Sequence, residues 1–224
     1  MTFSLVARCA RTGMFGVAIA SSSPAVAARC SHARAGVGAV ASQNITDPRL
    51  GALALDLMER GLSAPQAMAS LMAEAEHGDY RQVLAIDRTG TTAIHSGPRS
   101  LGIWSEAAGR DVISAGNLLA SPDVPKAIVA AFEASTGHLG DRLITAMRAG
   151  LAAGGEAGPV HSAGLKIVDA TSFPLADLRC DWTEADPIDA VATAWAIYKP
   201  QMGAYVQRAL DPSVAPSYGV PGDA

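Results

Sequence analysis

The chain has 224 residues, of which 49% are hydrophobic and 17% are charged, and its formal net charge is -4. It contains no basic run, and aromatic residues make up only 5% of it, so the composition argues against nucleic acid or an anionic membrane surface as the main partner. The three scattered cysteines, Cys9, Cys30 and Cys180, are typical of buried thiols in a reducing compartment rather than of a disulfide framework. We therefore expect a cytoplasmic protein with neither a signal peptide nor a membrane span.

Strands and paired helices alternate in the first part of the chain. Residues 2–7 and 15–21 are short segments rich in apolar and β-branched side chains, which predicts a β-hairpin, and residues 35–43 predict a third strand rich in small side chains. Residues 48–60 and 64–76 show helical spacing of apolar residues, and each begins near a capping side chain and a proline. These two segments predict a helical hairpin.

The alternation continues along the rest of the chain. The predicted strands are 81–87, 91–96, 111–116, 163–170 and 174–181. The predicted helices are 122–135, 139–152 and 186–209, the last of them divided near Pro200. Single helices between single strands would indicate a doubly wound parallel sheet, whereas hairpins that alternate with helical pairs predict an α+β fold. We expect two mainly antiparallel sheets packed face to face between helical layers, as a four-layer α-β-β-α sandwich.

The domain organisation is expected to be simple. Residues 1–210 are predicted to form a single domain, and the Pro/Gly-rich residues 211–224 a C-terminal tail that hangs loose or lies across a neighbouring molecule. Because nearly half of the residues are hydrophobic and few are charged, we also expect a residual apolar surface and a homodimer. The last helix or the tail is the expected contact between the two copies.

Nucleotide, metal and serine-hydrolase motifs are missing from the sequence. It has no G-x-x-x-x-G-K-[ST] segment, no G-x-G-x-x-G after a strand and no G-x-S-x-G elbow. Its five histidines lack the spacing of metal ligands, and the serines of residues 21–24 are interpreted as a turn. We therefore expect no cofactor and no metal.

Thr2, at the head of the first predicted strand, allows two interpretations. β-Branched residues are common in strands, so a structural role is sufficient. If Met1 is removed, however, Thr2 carries a free α-amine with a pKa of about 7.7–8.0, which suits general-base work beside a nucleophilic hydroxyl. Arg8 falls on the same face of the strand as Thr2, and its charge could lower the pKa of that amine.

The sequence also resembles a known family. Its distinctive segments, in order, are MTFSLVAR, GVAIAS, ARAGVGAVASQ, DYRQVLAID, AGNLL, SAGLKIV and DLRCD. In this order they resemble the uncharacterised bacterial family called domain of unknown function 1028, grouped with the N-terminal-nucleophile hydrolases. The resemblance implies the four-layer fold, amide-bond hydrolysis by an N-terminal residue, and Thr2 as the nucleophile. It also places Asn117 at a polar position that could donate to an oxyanion, although a turn residue after a strand is an equally good interpretation of Asn117.

The resemblance implies further residues that contact a substrate. Arg81 and Gln82 match the RQ pair of the family and could hold an anionic or amide group of a substrate, and Gln43 is a further candidate for substrate binding. For Arg81 an alternative stays open, because it could pair with Asp79 or Asp177 as a structural ion pair.

One position departs from the family pattern. Many members carry a lysine where this chain has Ser22, and the first lysine here is Lys126. The electrostatic role would then pass to Arg8 or Arg34, and Ser22 becomes a candidate for substrate binding. We predict an N-terminal-nucleophile amidohydrolase that acts on a small amide or peptide-like substrate. The alternative is a non-catalytic binding or assembly module that keeps the fold without the chemistry, so whether the protein is an enzyme stays open.

Overall fold

The computed structural model describes residues 1–220. Its strands are β1 (Thr2–Arg8), β2 (Phe15–Ser21), β3 (Ser31–Arg34), β4 (Gly38–Asn44), β5 (Arg81–Asp87), β6 (Thr92–Ser96), β7 (Ser105–Gly109), β8 (Val112–Asn117), β9 (Ser162–Val168) and β10 (Ala176–Cys180). Its α-helices are α1 (Val26–Cys30), α2 (Arg49–Glu59), α3 (Ala64–Glu74), α4 (Val124–Ala134), α5 (Leu139–Ala152), α6 (Pro187–Tyr198) and α7 (Met202–Leu210). In this part of the chain, no helix combines the length and the apolar character needed to cross a bilayer.

The strands form two antiparallel sheets. One has six strands in the order β10-β9-β2-β1-β8-β7, and the other has four in the order β3-β4-β5-β6. The helices α4 and α5 cover the outer face of the six-stranded sheet, and α2 and α3 cover the outer face of the four-stranded sheet. The predicted four-layer α-β-β-α arrangement is therefore confirmed.

The strand β1 is buried on both faces, because it lies inside the six-stranded sheet between β2 and β8. Phe3, Leu5 and Ala7 belong to the core shared with α4 and α5, whereas Val6 belongs to the core between the two sheets. Side chains alternate between the faces of a strand, so Thr2 also faces the opposite sheet. Full burial of a side chain such as Phe3 stabilises the fold by roughly 1.5–3 kcal/mol, which anchors the strand that carries Thr2.

Most of the predicted strands and helices are confirmed, and the last helix divides around Pro200 into α6 and α7. The sequence analysis missed α1, β3 and β7. The helix α1 has only five residues, too few for a helical period to show. The sequences of β3 and β7, SHAR and SEAAG, lack the β-branched and aromatic residues typical of strands. Pairing with β4 and β8 forms these two strands instead.

The segment predicted to be a tail contacts its own chain where it is described. Arg208 on α7 donates to the carbonyl of Pro216 at 2.8 Å, and its guanidinium lies 3.8 Å from the ring centre of Tyr218. Residues 216–218 therefore contact α7 of the same chain, where a cation and an aromatic ring attract each other. Residues 221–224 of the predicted tail lie outside the described residues.

The core between the two sheets turns polar at the end where β1 begins. The Oε1 of Gln82 on β5 accepts from Nε2 of Gln43 on β4 at 2.7 Å and from Nδ2 of Asn117 on β8 at 3.1 Å. Gln43 in turn accepts from the hydroxyl of Ser4 on β1 at 2.6 Å. All four side chains are buried, and we call them the inter-sheet polar network because they join the two sheets.

We predict that Gln82→Leu lowers the free energy of unfolding by about 2–4 kcal/mol, because it leaves the buried amides of Gln43 and Asn117 without their shared acceptor. Gln207→Leu, at an exposed position on α7, is the matched control and should change stability by less than about 0.5 kcal/mol. Urea unfolding followed by circular dichroism measures both variants. Equal stability of the two would contradict a structural role for the network.

Candidate functional site

Thr2 lies at the head of β1, where the strands on either side place polar side chains next to it. The register of β1 with β8 sets Thr2 directly opposite Asn117. The register of β1 with β2 sets Phe3 opposite Ala20, so Ser21 flanks Thr2 on the other side. Directly opposed residues have Cβ atoms about 4.5–5.5 Å apart. Thr2 is 6% exposed, so its hydroxyl lies in a polar protein environment rather than in bulk water.

The hydroxyls of Thr2 and Ser21 converge on one acceptor. Both donate to the carbonyl oxygen of Met1, and their own oxygens lie 3.4 Å apart. The backbone N–H of Ser23 donates to the Ser21 hydroxyl oxygen at 3.0 Å, which fixes the position of that side chain. The polar groups around Thr2 therefore meet at the peptide bond between Met1 and Thr2, whose cleavage would release the Thr2 α-amine.

A buried carboxyl group lies close to the N-terminus. After α5, Gly154 and Gly155 adopt positive φ angles of 120° and 58°, a conformation that glycine reaches without strain, and the chain turns so that Glu156 enters the interior. Glu156 is 4% exposed, and its two carboxylate oxygens accept from the backbone N–H of Ser22 at 3.0 and 3.2 Å. Its charge also interacts with the N-terminal amine.

The environment of Glu156 raises the pKa of its carboxyl group to near neutral pH. Burial raises the pKa of Glu156 from its ordinary 4.5 to about 7, although the N-terminal ammonium, the hydrogen bonds from Ser22 and the charge of His161 all act to lower it. A carboxyl group with a pKa near 7 can pair with an ammonium group while it is ionised, or it can accept a proton from that ammonium group. Within residues 1–220, no three His, Cys, Asp or Glu side chains are grouped to hold a metal ion.

Leu118, which follows Asn117, has a φ of 51°, in the left-handed region that costs a non-glycine residue roughly 1–2 kcal/mol. Hydrogen bonds from two other segments hold it there. Its N–H donates to the Leu101 carbonyl and its carbonyl accepts from the N–H of Ala157, both at 2.9 Å. Backbone strain of this kind clusters at functional sites. Here the two hydrogen bonds that hold Leu118 also fix the end of β8 beside Thr2.

The loop before β7 presents an apolar edge next to this strained turn. Leu101, Ile103 and Trp104 are all exposed. The carbonyl groups of Leu101 and Ile103 accept from the backbone N–H groups of Leu118 and Leu119, both at 2.9 Å, so the loop is tied to the end of β8. Large apolar side chains beside a polar site offer a ligand a surface on which to bury apolar area.

The structure brings several of the predicted residues together near Thr2, but it changes their roles. Asn117 lies opposite Thr2, as a residue that stabilises an oxyanion must. Gln43 and Gln82 are fully buried, and their amide groups are occupied within the inter-sheet polar network. Gln82 holds Asn117 directly, and Gln43 holds Gln82. Ser22 contributes its backbone N–H to Glu156.

The geometry gives no support to the electrostatic roles predicted for Arg8 and Arg34. Arg8 shares a face of β1 with Thr2, but the length of the strand separates them by about 20 Å, and Arg8 pairs with Asp111 at 2.9 Å. Arg34 pairs with Asp56 on α2 at 2.8 Å. Alternation along a strand predicts the face on which a side chain lies and carries no information on its distance from another residue.

Arg81 also differs from both of its predicted roles. Neighbouring residues of a strand face opposite sides, so Gln82 faces the other sheet whereas Arg81 faces away from it. The guanidinium of Arg81 donates to the carbonyl of Ile45. Its predicted partners Asp79 and Asp177 pair with other cations, at 3.0 and 3.1 Å. Arg81 therefore fastens the end of β5 to the chain that follows β4.

Ser21 and Glu156 are site residues that the sequence analysis missed. Ser21 ends the predicted strand 15–21, which the structure confirms as β2, but it also begins the serine run that was interpreted as a turn, and it was not predicted as a site residue. The predicted hairpin of β1 and β2 contained the signal, because its register places the end of β2 beside the start of β1. Glu156 is a single acid in the segment AGGEAG, which has no periodicity from which burial could be predicted.

We predict that Glu156→Gln changes how stability depends on pH. The folded chain raises the pKa of Glu156 from 4.5 to about 7, so it binds this proton more tightly than the unfolded chain does. The resulting stabilisation is full below about pH 4.5 and is lost as the pH rises to about 7. Between those limits the wild type should lose about 3 kcal/mol relative to Glu156→Gln.

Urea unfolding at a series of pH values measures this difference. The glutamine keeps an acceptor for the N–H of Ser22 but carries no titrating proton. Glu74→Gln, at an exposed position on α3, removes the same charge and controls for the change in net charge. Parallel pH profiles of the wild type and Glu156→Gln would show that the carboxyl group is not held in its neutral form.

Comparison with known proteins places the chain in a family. Protein SPO2555 from Silicibacter pomeroyi, itself a DUF1028 protein, has a similar crystal structure, with a TM-score of 0.82, 27% sequence identity, and coverage of 88% of this chain and 89% of that chain. Anbu (ancestral beta-subunit) from Yersinia bercovieri matches with a TM-score of 0.40 at 11% identity, over 91% of this chain and 97% of that one. Anbu (Gly-1) mutant from Hyphomicrobium sp. strain MC1 matches with a TM-score of 0.42 at 11% identity, over 92% of this chain and 100% of that one. No curated protein matches the chain.

The match to a family covers most of the chain. The sequence profile described as "Family of unknown function (DUF1028)" matches residues 2–191. This range includes β1, the strands that flank it, and the loop that carries Glu156. The resemblance found in the sequence is thereby confirmed, and the chain belongs to the DUF1028 family.

Proposed function

We propose that this chain is an N-terminal-nucleophile amidohydrolase whose nucleophile is Thr2, released by the removal of Met1. The observation that carries the proposal is the convergence of the Thr2 and Ser21 hydroxyls on the carbonyl of the peptide bond between Met1 and Thr2. Removal of Met1 frees both hydroxyls. It also leaves an α-amine on the same residue that bears the nucleophilic hydroxyl, which is the pair of groups that this chemistry requires.

The reaction begins with attack of the Thr2 hydroxyl oxygen on the carbonyl carbon of an amide substrate. The α-amine takes the hydroxyl proton as the C–O bond forms, and it gives that proton to the departing amine as the C–N bond breaks. An ester between the acyl group and Thr2 remains. Water, deprotonated by the same α-amine, then attacks the ester, releases the carboxylic acid and restores the Thr2 hydroxyl.

Two neighbours are suited to assist this reaction. The Nδ2 of Asn117 carries two hydrogens, and its bond to Gln82 uses one of them. The other can stabilise the oxyanion of the tetrahedral intermediate, and one such donor is worth about 10²–10³ in rate. Glu156, whose pKa is about 7, interacts with the amine of Met1 while that residue is present. Once Met1 is removed, we expect Glu156 to balance the charge of the Thr2 α-amine when that amine takes up a proton.

The substrate that fits best is a small amide or peptide-like molecule with an apolar group near the amide. The exposed side chains of Leu101, Ile103 and Trp104 offer an apolar surface beside the site. The arginines that could have held a substrate carboxylate have other partners, because Arg8 pairs with an aspartate and Arg81 donates to a backbone carbonyl. These contacts favour an apolar substrate side chain over an acidic one.

A second candidate function is a binding or assembly module that keeps the fold without the chemistry. One observation favours it. While Met1 is present, its carbonyl accepts from the Thr2 hydroxyl, and the nitrogen of Thr2 is an amide with no basic lone pair. A chain that retains Met1 would therefore lack a general base at Thr2. The two candidates differ in the first residue of the native protein.

We predict that the active form begins at Thr2 and that Thr2→Ala lowers amide hydrolysis by at least about a thousandfold, because it removes the nucleophile. Thr2→Ser keeps a hydroxyl and an α-amine and should retain measurable activity. Thr12→Ala, in the exposed turn between β1 and β2, is the matched control. Intact mass identifies the first residue of each protein, and a screen of simple amides, γ-glutamyl amides and amides of apolar amino acids measures activity.

Asn117→Ala separates an oxyanion role from a purely structural one. If Nδ2 stabilises the oxyanion, kcat should fall by about a hundredfold or more while KM changes little. Activity that is indifferent to Thr2→Ala, in protein whose first residue has been verified, would overturn the amidohydrolase. A native protein that keeps Met1 would favour the binding module.

The homodimer expected from the composition stays a prediction, with a candidate surface. The helix α7 contributes no buried residue, and Ile197, Tyr205 and Leu210 are exposed on α6 and α7. We predict a dimer at micromolar concentration that Ile197→Asp weakens by about tenfold or more, because it places a charge in an apolar contact. Leu53→Asp, at an exposed position on α2, is the matched control. Size-exclusion with light scattering measures the mass, and a monomeric wild type would contradict the prediction.

A further inference from the structure

A second polar cleft lies at the end of β1 that is farthest from Thr2. Its volume is about 640 Å³, and its charged lining residues are Arg8, Arg11, Arg110, Asp111, Glu133 and Arg142. They come from the end of β1, the turns that join β1 to β2 and β7 to β8, and the helices α4 and α5. We call it the arginine cleft, because four arginines face two carboxylates and only Arg8 pairs with one, Asp111, at 2.9 Å.

Within residues 1–220, the other three arginines have no acidic partner. The Glu133 carboxylate accepts from the backbone N–H of Arg110 at 2.7 Å and leaves the guanidinium of that residue unpaired. Among the residues that the structure describes, no carboxylate forms an ion pair with the side chain of Arg11, Arg110 or Arg142. The four arginines outnumber the two carboxylates of the cleft, and an excess of cations in a cleft raises the local concentration of anions.

Two guanidinium nitrogens of the cleft are also buried without a hydrogen-bond partner, the Nε of Arg8 and the Nε of Arg142. A buried donor without an acceptor carries an uncompensated desolvation cost, so the protein does not fully satisfy the guanidinium groups of Arg8 and Arg142. Arg142 is held in place, because its guanidinium lies 3.9 Å from the ring centre of Phe132 and its Nη2 donates to the Phe132 carbonyl at 3.1 Å. A fixed planar guanidinium that lines a cleft suits contact with phosphate or carboxylate oxygens.

The thiol of Cys9 also lines the cleft, and hydrogen-bond donors surround it. Burial alone would raise the pKa of Cys9, but hydrogen bonds from Thr12 and Arg11 and the charge of Arg142 outweigh burial and lower it. An environment that favours a thiolate over a thiol also favours other anions.

We propose that the arginine cleft binds a small molecule that carries two or more oxyanion groups, phosphate or carboxylate. The unpaired guanidinium groups of Arg11, Arg110 and Arg142 supply charge and hydrogen bonds, and the volume of the cleft suits a ligand of metabolite size. The cleft lies about 20 Å from Thr2 along β1. The proposal therefore stands or falls separately from the proposed hydrolase activity.

The test uses the full chain and two probes, pyrophosphate and citrate, in isothermal titration calorimetry at low ionic strength. We expect one-site binding of at least one probe, weakened by added salt. Arg142→Gln and Arg110→Gln should each weaken it by about tenfold or more, because each removes a charged donor. Arg60→Gln, at an exposed position that follows α2, removes the same charge and should leave the affinity nearly unchanged.

The comparison of pyrophosphate with citrate identifies whether the cleft favours phosphate or carboxylate oxygens. Arg142→Lys keeps the charge but loses the planar fork, so it should recover only part of the affinity. Because Arg142 also packs on Phe132, the exposed positions Arg110 and Arg11 keep the test valid if Arg142→Gln fails to fold. Binding of neither probe, or binding that Arg60→Gln weakens as much as Arg110→Gln does, would overturn the proposal.

Discussion

The candidate site depends on one requirement: the polar side chains buried between the two sheets near the start of β1 must form hydrogen bonds with one another. A buried polar group left without a partner costs about 1–3 kcal/mol. The hydrogen bonds among Ser4, Gln43, Gln82 and Asn117 satisfy these groups in one arrangement. Because two of the residues come from each sheet, this arrangement fixes how the sheets lie over one another. It also fixes Asn117, and with it the position directly opposite Thr2.

The same end of the sandwich holds a carboxyl group whose chemistry follows from the absence of a nearby pairing partner. Glu156 accepts only from the backbone N–H of Ser22 among its described hydrogen bonds. Burial therefore outweighs the charges that favour the carboxylate, and the pKa rises to about 7. An arginine paired with Glu156 would hold it as a permanent anion, but Arg8 and Arg34 pair elsewhere. The fold thus keeps a carboxyl group with a pKa near 7 within electrostatic reach of the Met1 amine.

Much of the fold could be predicted because its signals are local. Capping residues, prolines and helical spacing indicate α2, α3 and α6, and apolar or β-branched segments indicate β1, β2 and β5. Strands such as β7 carry no such signal, because pairing with a neighbour forms them. For these elements the information lies in the partner strand and not in their own residues.

The candidate site was harder to predict than the fold, because its parts meet only after folding. Thr2 and Asn117 could be found from strand position and family resemblance. Glu156 could not, because its burial depends on two glycines with positive φ angles that turn the chain after α5. Its pKa depends in turn on that burial. For Arg8, the alternation of side chains correctly predicted the face of β1 on which it lies. That alternation gave no information on the distance between Arg8 and Thr2.

The two ends of β1 lie among different groups of polar side chains. We expect a conformational change at one end to be transmitted only weakly along the strand to the other end. Coupling between two sites requires an element with two arrangements that both sites bias. The strand β1 is paired on both sides along its length and buried on both faces, so opening it requires most of the fold to open. The strand β8 also runs from the arginine cleft to Asn117 and is paired on both sides. An anion in the cleft would therefore leave the geometry at Thr2 unchanged, and the chemistry at each end can change without disturbing the other.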